Sequence, residues 1–192
     1  MKSTSSLLLL AGLLAAFTSP SRGGDFEAAL TSETAQFMVR SDSSVVGWGG
    51  AELGLGLFYN EASDFIGIVS LMQRRKSSPQ TPLTLGVGAR AYIGKLDDID
   101  QDVVAAAISG EIRYTLPGTM PMSIWFEAHY APKIISFSDT EEVLETNLGF
   151  QIEVLPQTTA FAGYRSIDLD VDSSSDYDAD DDRIHVGVRF TF

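Results

Sequence analysis

Two histidines, His129 and His185, are the only imidazoles among 192 residues, and the chain has no cysteine. A hydrolase built on either would need a nucleophile beside the ring and an acid to orient it. Glu127 stands two residues from His129 and shares its face on an extended chain. Ser109 and Ser123 fall on the corresponding polar faces of nearby segments. Spacing alone does not make a triad, and no G-x-S-x-G turn exists to display a serine. Asp182 with His185 is the pairing of an acid–histidine protease, with nothing around it to support that chemistry. Both histidines therefore read as filling a polar interior, and no catalytic residue is assigned. The lack of thiols also removes disulfide frameworks and thiolate metal sites.

Carboxylates offer a second chemistry. Between Asp168 and Asp182 lie Asp168, Asp170, Asp172, Asp176, Asp178, Asp180, Asp181 and Asp182. Calcium takes about six to eight oxygen ligands, which such a run could supply. An EF-hand register from Asp168, however, puts Ser173 where the turn glycine belongs and Ala179 at the last ligand. The run reads as a solvated acidic loop. Asp168, Asp170, Asp172, Asp176 and Asp178 are the residues a cation would use, and no metal or other cofactor is called for. A net charge of −13 argues against nucleic acid, whose phosphates need clustered Lys and Arg.

The remaining charges are spread along the chain and share one phase. Glu52, Arg90, Glu111, Arg113, Glu127, His129, Glu145, Glu153, Arg165, His185 and Arg189 all alternate with apolar neighbours. Leu83, Leu85, Val87, Ala89, Ala91 and Ile93, for example, oppose Thr84, Gly86, Gly88, Arg90 and Tyr92. Glycine recurs on this polar face, where a surface in bulk water would favour Lys and Glu. Such a face suits a tapering interior in which mixed charges pair, since a buried charge is costly without a partner.

The elements that would position these side chains are strands. Alternating segments run over Gly47–Tyr59, Phe65–Gln73, Leu83–Gly94, Val104–Leu116, Met122–Pro132, Leu144–Val154, Thr159–Leu169 and Ile184–Phe192. Their length suits the roughly 9–11 residues with which a tilted strand crosses a bilayer. Tyr59, Tyr114 and Tyr130 fall on the apolar face near strand ends, as an aromatic girdle would. Connections alternate between short Pro-containing turns (Leu116–Pro121, Leu155–Thr158) and acidic loops (Lys95–Asp102, Ser136–Glu142, Asp168–Asp182). One connection, Arg74–Pro82, is basic, and Arg74, Arg75 and Lys76 are read as a solvated turn that could also meet phosphate head groups. The N-terminus has Lys2, the apolar run Leu7–Phe17 and then small residues, which reads as an export signal over 1–23. Residues 24–192 then form one domain. Eight strands precede Phe192; two more, Phe26–Leu30 and Ala35–Arg40, preserve the even count. The expected fold is an all-β, up-and-down antiparallel transmembrane barrel of about ten strands, with eight as the alternative.

"HYAPKIISFSD" (His129–Asp139), "VLPQTTAFAGYRSI" (Val154–Ile167) and the ending "HVGVRFTF" resemble the YfaZ family of outer-membrane proteins. The resemblance extends to "LTLGVGARAYIG" (Leu83–Gly94) and "RYTLPGTMPMSI" (Arg113–Ile124). It implies a barrel in the outer membrane of a Gram-negative bacterium and brings no catalytic residues. Phe190 and Phe192 look like the end of an assembly signal read by the barrel-insertion machinery. The expected surroundings are outer-membrane lipid and lipopolysaccharide, to whose phosphates divalent ions could bridge the acidic loop. The expected role is structural or that of a narrow pore, not enzymatic. The alternatives are an outer-membrane enzyme acting on lipid or peptide through His129 or His185, and a soluble periplasmic lipocalin-like binding protein.

Overall fold

An extended segment with one apolar and one polar face cannot sit alone in hydrocarbon, because its backbone N–H and C=O groups would have no partners. A sheet closed on itself satisfies them all. The computed structural model describes residues 23–46, 50–61, 65–75, 82–96, 101–138, 140–171 and 183–192. Among them are β1 (Gly24–Leu30), β2 (Thr34–Asp42), β3 (Glu52–Asn60), β4 (Phe65–Arg75), β5 (Leu83–Leu96) and β6 (Gln101–Leu116). β7 (Met122–Ala131), β8 (Ser136–Ser138), β9 (Thr140–Leu155), β10 (Thr158–Val171) and β11 (Arg183–Thr191) complete the series. Every strand except β8 pairs antiparallel with the next around a circle, β7 with β9 directly, and β1 meets β11. The result is a closed ten-stranded up-and-down barrel, in which both short N-terminal strands take part. At the seam Gly24 and Phe192 exchange both backbone hydrogen bonds at 2.8 Å, and Phe26 faces Phe190.

The faces fall as the alternation requires. Val87, Ile93, Ile108, Ile112, Leu148, Val186 and Phe190 point outward and are exposed, whereas Arg90, Tyr92, Ser109, Glu111, Glu145 and His185 point inward and are buried. This is the inverse of a soluble sandwich. Tyr59 and Tyr130 ring the outside near one end, and Tyr114 near the other. The second of these ends also holds the start of β1, the end of β11 and the tight turns at 117–121 and 156–157. Gln157 adopts a left-handed φ of 67° to close the two-residue turn.

The strands differ in length in a way the pattern does not reveal. β1 has 7 residues and β2 and β3 have 9, but β6 and β9 have 16. The wall therefore stands higher at the end away from the termini, along β5, β6, β9 and β10. The flanks of the acidic segments expected as loops at Lys95–Asp102 and Ser136–Glu142 are strand, while 97–100 and 139 lie outside the described residues: Lys95 pairs with Asp102, and Glu142 with Asp170. Once a ladder is established it continues beyond the apolar band. There polar residues are tolerated on both faces, so the alternation fades while the pairing persists. The basic connection is corrected likewise, since Arg74 and Arg75 belong to β4 and Arg74 points inward. The expected export signal lies outside the described residues except for Gly23, and so do Asp172, Asp176 and Asp178.

Candidate functional site

The interior is layered, and the layer nearest the termini is a closed ring of side chains. Glu27 on β1 accepts from Arg189 of β11 at 2.8 Å. Arg189 also donates to Gln151 of β9 (3.3 Å), which accepts from Arg113 of β6 at 3.1 Å. Arg113 donates to Glu111 (2.9 Å), and Glu111 accepts from Arg74 of β4 at 2.5 Å. Arg74 pairs with Glu52 of β3 (2.6 Å), Glu52 lies 3.5 Å from Arg40 of β2, and Arg40 donates back to both oxygens of Glu27. Eight side chains thus link in a circuit around the interior. Alternating signs allow each carboxylate two cationic neighbours, which offsets the cost of removing it from water. Sequence reasoning named Glu52, Glu111, Arg113 and Arg189 of this ring and missed Glu27, Arg40, Arg74 and Gln151. All four share the inward phase: Glu27, Arg40 and Gln151 fall within the expected strands Phe26–Leu30, Ala35–Arg40 and Leu144–Val154, and only Arg74 needed the alternation carried past Gln73 to the true end of β4.

Above the ring lies an aromatic layer. Trp125 meets Phe161 edge-on at 6.0 Å between centroids, and Phe161 meets His185 at 5.9 Å. Arg189 reaches up from the ring over the Phe161 face. Room for these rings comes from glycines on neighbouring strands. A Cβ on Gly149 would come within 2.4 Å of the Trp125 ring, one on Gly187 within 2.3 Å of the Phe161 ring, and one on Gly163 within 2.7 Å of His185. Gly149, Gly163 and Gly187 are therefore the complement of the inward rings of Trp125, His185 and Phe161.

Two links then span the interior. Arg90 on β5 donates to Glu145 Oε2 on β9 at 2.7 Å, and Tyr92 Oη donates to the same oxygen at 2.5 Å. From the adjacent β10, Arg165 donates to Gln36 and, at 3.1 Å, to Thr34 on β2, with its guanidinium over the Phe58 ring. His129 hydrogen-bonds Ser109 through Nδ1 at 2.8 Å, while its Nε2 is 3.9 Å from Glu127. Of the expected charges, Glu153 stands outside the ring, half-buried at the terminus end of β9 opposite Thr159. Asp168 and Asp170 lie in β10, and no cluster of three metal-ligating side chains occurs among the described residues. Phe190 and Phe192 face outward at the seam.

A closed sheet with an apolar exterior and an ion-paired interior defines a membrane-spanning β-barrel of the outer-membrane type. The family described as YfaZ precursor matches residues 50–192, and the chain belongs to that family. No curated protein sequence matches it. Among solved structures it is similar to the outer membrane channel DcaP of Acinetobacter baumannii, at 11% identity and a TM-score of 0.41, over 86% of this chain and 54% of that one. It is also similar to OmpT of Vibrio cholerae (11% identity, TM-score 0.38, 83% and 56% covered). A third is Omp33 of Acinetobacter baumannii (10% identity, TM-score 0.34, 89% and 96% covered). The chain thus spans about half the length of the first two.

Proposed function

We propose that this protein is a non-catalytic outer-membrane barrel whose interior is closed to general diffusion, serving a structural role or admitting only very small solutes. The observation that carries this reading is the pair of links across the interior, Arg90–Glu145 and Arg165–Gln36, stacked above the aromatic layer and the ion-paired ring. A ten-stranded barrel is little wider than the eight-stranded kind that side chains just fill. Residues 1–23 direct export, and Phe192 is read by the insertion machinery. The acidic segment after β10 faces lipopolysaccharide.

Against hydrolysis, His129 and Ser109 are 1% and 3% exposed, which leaves no approach for a lipid or peptide. The 3.9 Å between His129 and Glu127 is also too long for the orienting hydrogen bond of a triad. The reading is tested by adding pure protein to planar bilayers. Only brief or no current steps are expected. Large, stable, porin-like steps would overturn it.

A further inference from the structure

Inward faces of membrane barrels are polar as a rule, yet at the end opposite the start of β1 this one reverses. Met38, Phe58, Ile68, Val103, Val143 and Ile167 point inward from six strands and pack into one cluster. Val103 and Val143 are 1% and 2% exposed, although each lies close to the start of its strand. Arg165, stacked on the Phe58 ring and bonded to Thr34 of β2, spans the remaining arc along β11 and β1. Between the apolar side chains is left a recess of about 30 Å³. That is room for a water or two, but a buried water needs two to four polar partners, and apolar cavities stay dry. The recess offers too few: its wall is almost wholly apolar, and at its base Tyr92 Oη already donates to Glu145.

Such a layer meets a permeant differently from the layers beneath it. In the ring, an ion finds carboxylates and guanidiniums that can exchange one partner for another. In the apolar layer it finds no ligand and must shed its hydration uncompensated, at a cost far above that of one hydrogen bond. Hydrophobic constrictions close channels in this way, by dewetting. We propose that the apolar layer is the permeability barrier of this barrel: Phe58, Ile68, Val103 and Val143, rather than the polar layers, set the exclusion of ions and water. The inference rests on the closed-interior reading above and locates its seal.

The test compares full-length barrels in planar bilayers bathed in potassium chloride, each first shown to be folded by heat-modifiable migration. Wild type should give brief steps or none. Val103→Ser with Val143→Ser should give stable steps, because hydroxyls let water enter the layer. Val143→Ser alone, a milder change, should give smaller steps and serves where the pair fails to fold. Val103→Ala with Val143→Ala opens the same space without the hydroxyls and should behave as wild type. Glu52→Gln, which loosens the ring between Arg40 and Arg74, should also stay closed. A closed wild type with folded serine variants that are equally closed would overturn this inference alone. So would stable steps from the alanine pair, which would make the barrier one of bulk, or from Glu52→Gln, which would place it in the ring. Stable steps from wild type would overturn the closed-interior reading and this inference with it.

Discussion

Glu111 is the residue on which the ring depends most. Its side chain is fully buried and holds two guanidiniums, Arg74 and Arg113, at 2.5 and 2.9 Å. Removing it takes away the buried carboxylate that Arg74 and Arg113 share, leaving Arg74 with Glu52 alone and Arg113 with Gln151. We expect Glu111→Ala to cost about 3–5 kcal/mol, the usual consequence of deleting one partner of a buried pair. Glu153→Gln, outside the ring, should stay within about 0.5 kcal/mol. Urea unfolding in lipid vesicles measures both, and equal shifts would contradict the closed circuit. At this scale the sequence was half legible. The phase of Glu111 and Arg113 is plain from their neighbours, whereas Arg74 is followed by Arg75 and Lys76 and reads as a turn. Which acid meets which base was not legible, because Glu27 and Arg189 are 162 positions apart and only barrel closure joins them.

Among the elements, strands are fixed by period and stabilised by what they lay against one another. Gly149 leaves the space that Trp125 of the neighbouring strand fills. Gly149→Val should destabilise the barrel by about 1–3 kcal/mol through overpacking. Adding Trp125→Ala should recover part of that loss, and a double-mutant cycle reads the coupling. Additive losses would show that the two positions do not share one space. The seam makes a second case. Phe192 supplies both backbone bonds to Gly24 and an outward aromatic ring, so its deletion should lower the yield of heat-modifiable barrel in outer-membrane fractions. An undiminished yield would count against the terminal strand as the closing element. The existence and faces of the strands were legible because lipid outside and ion pairs inside enforce strict alternation. Their ends at Leu96, Gln101 and Thr140 were not, since beyond the apolar band nothing requires alternation while the ladder still gains hydrogen bonds.

For the whole molecule, closure sets both topology and sidedness. With an even number of strands the start of β1 and the end of β11 share one end, and the end of β10 and the start of β11 lie at the other. An epitope inserted at Ser174 should be detected on intact cells, and detection only after the outer membrane is opened would invert the orientation. The layering was beyond the sequence: the ring, the rings packed over glycine and the apolar recess each draw on residues from several strands, and their heights depend on register that no single segment encodes.

The central claim is that the alternation separates a lipid-facing wall from a sealed interior, and the lack of cysteine allows a direct test. Single cysteines placed in turn at Leu85, Val87, Thr84 and Tyr92 of β5 would be challenged, in vesicles, with a membrane-soluble and a water-soluble maleimide. Cysteines at Leu85 and Val87, which point outward, should react with the membrane-soluble reagent and resist the water-soluble one. Those at Thr84 and Tyr92, which point into the packed interior, should react slowly with both. Rapid labelling of the outward pair by the water-soluble reagent would show that this face meets water, and the membrane barrel would be wrong.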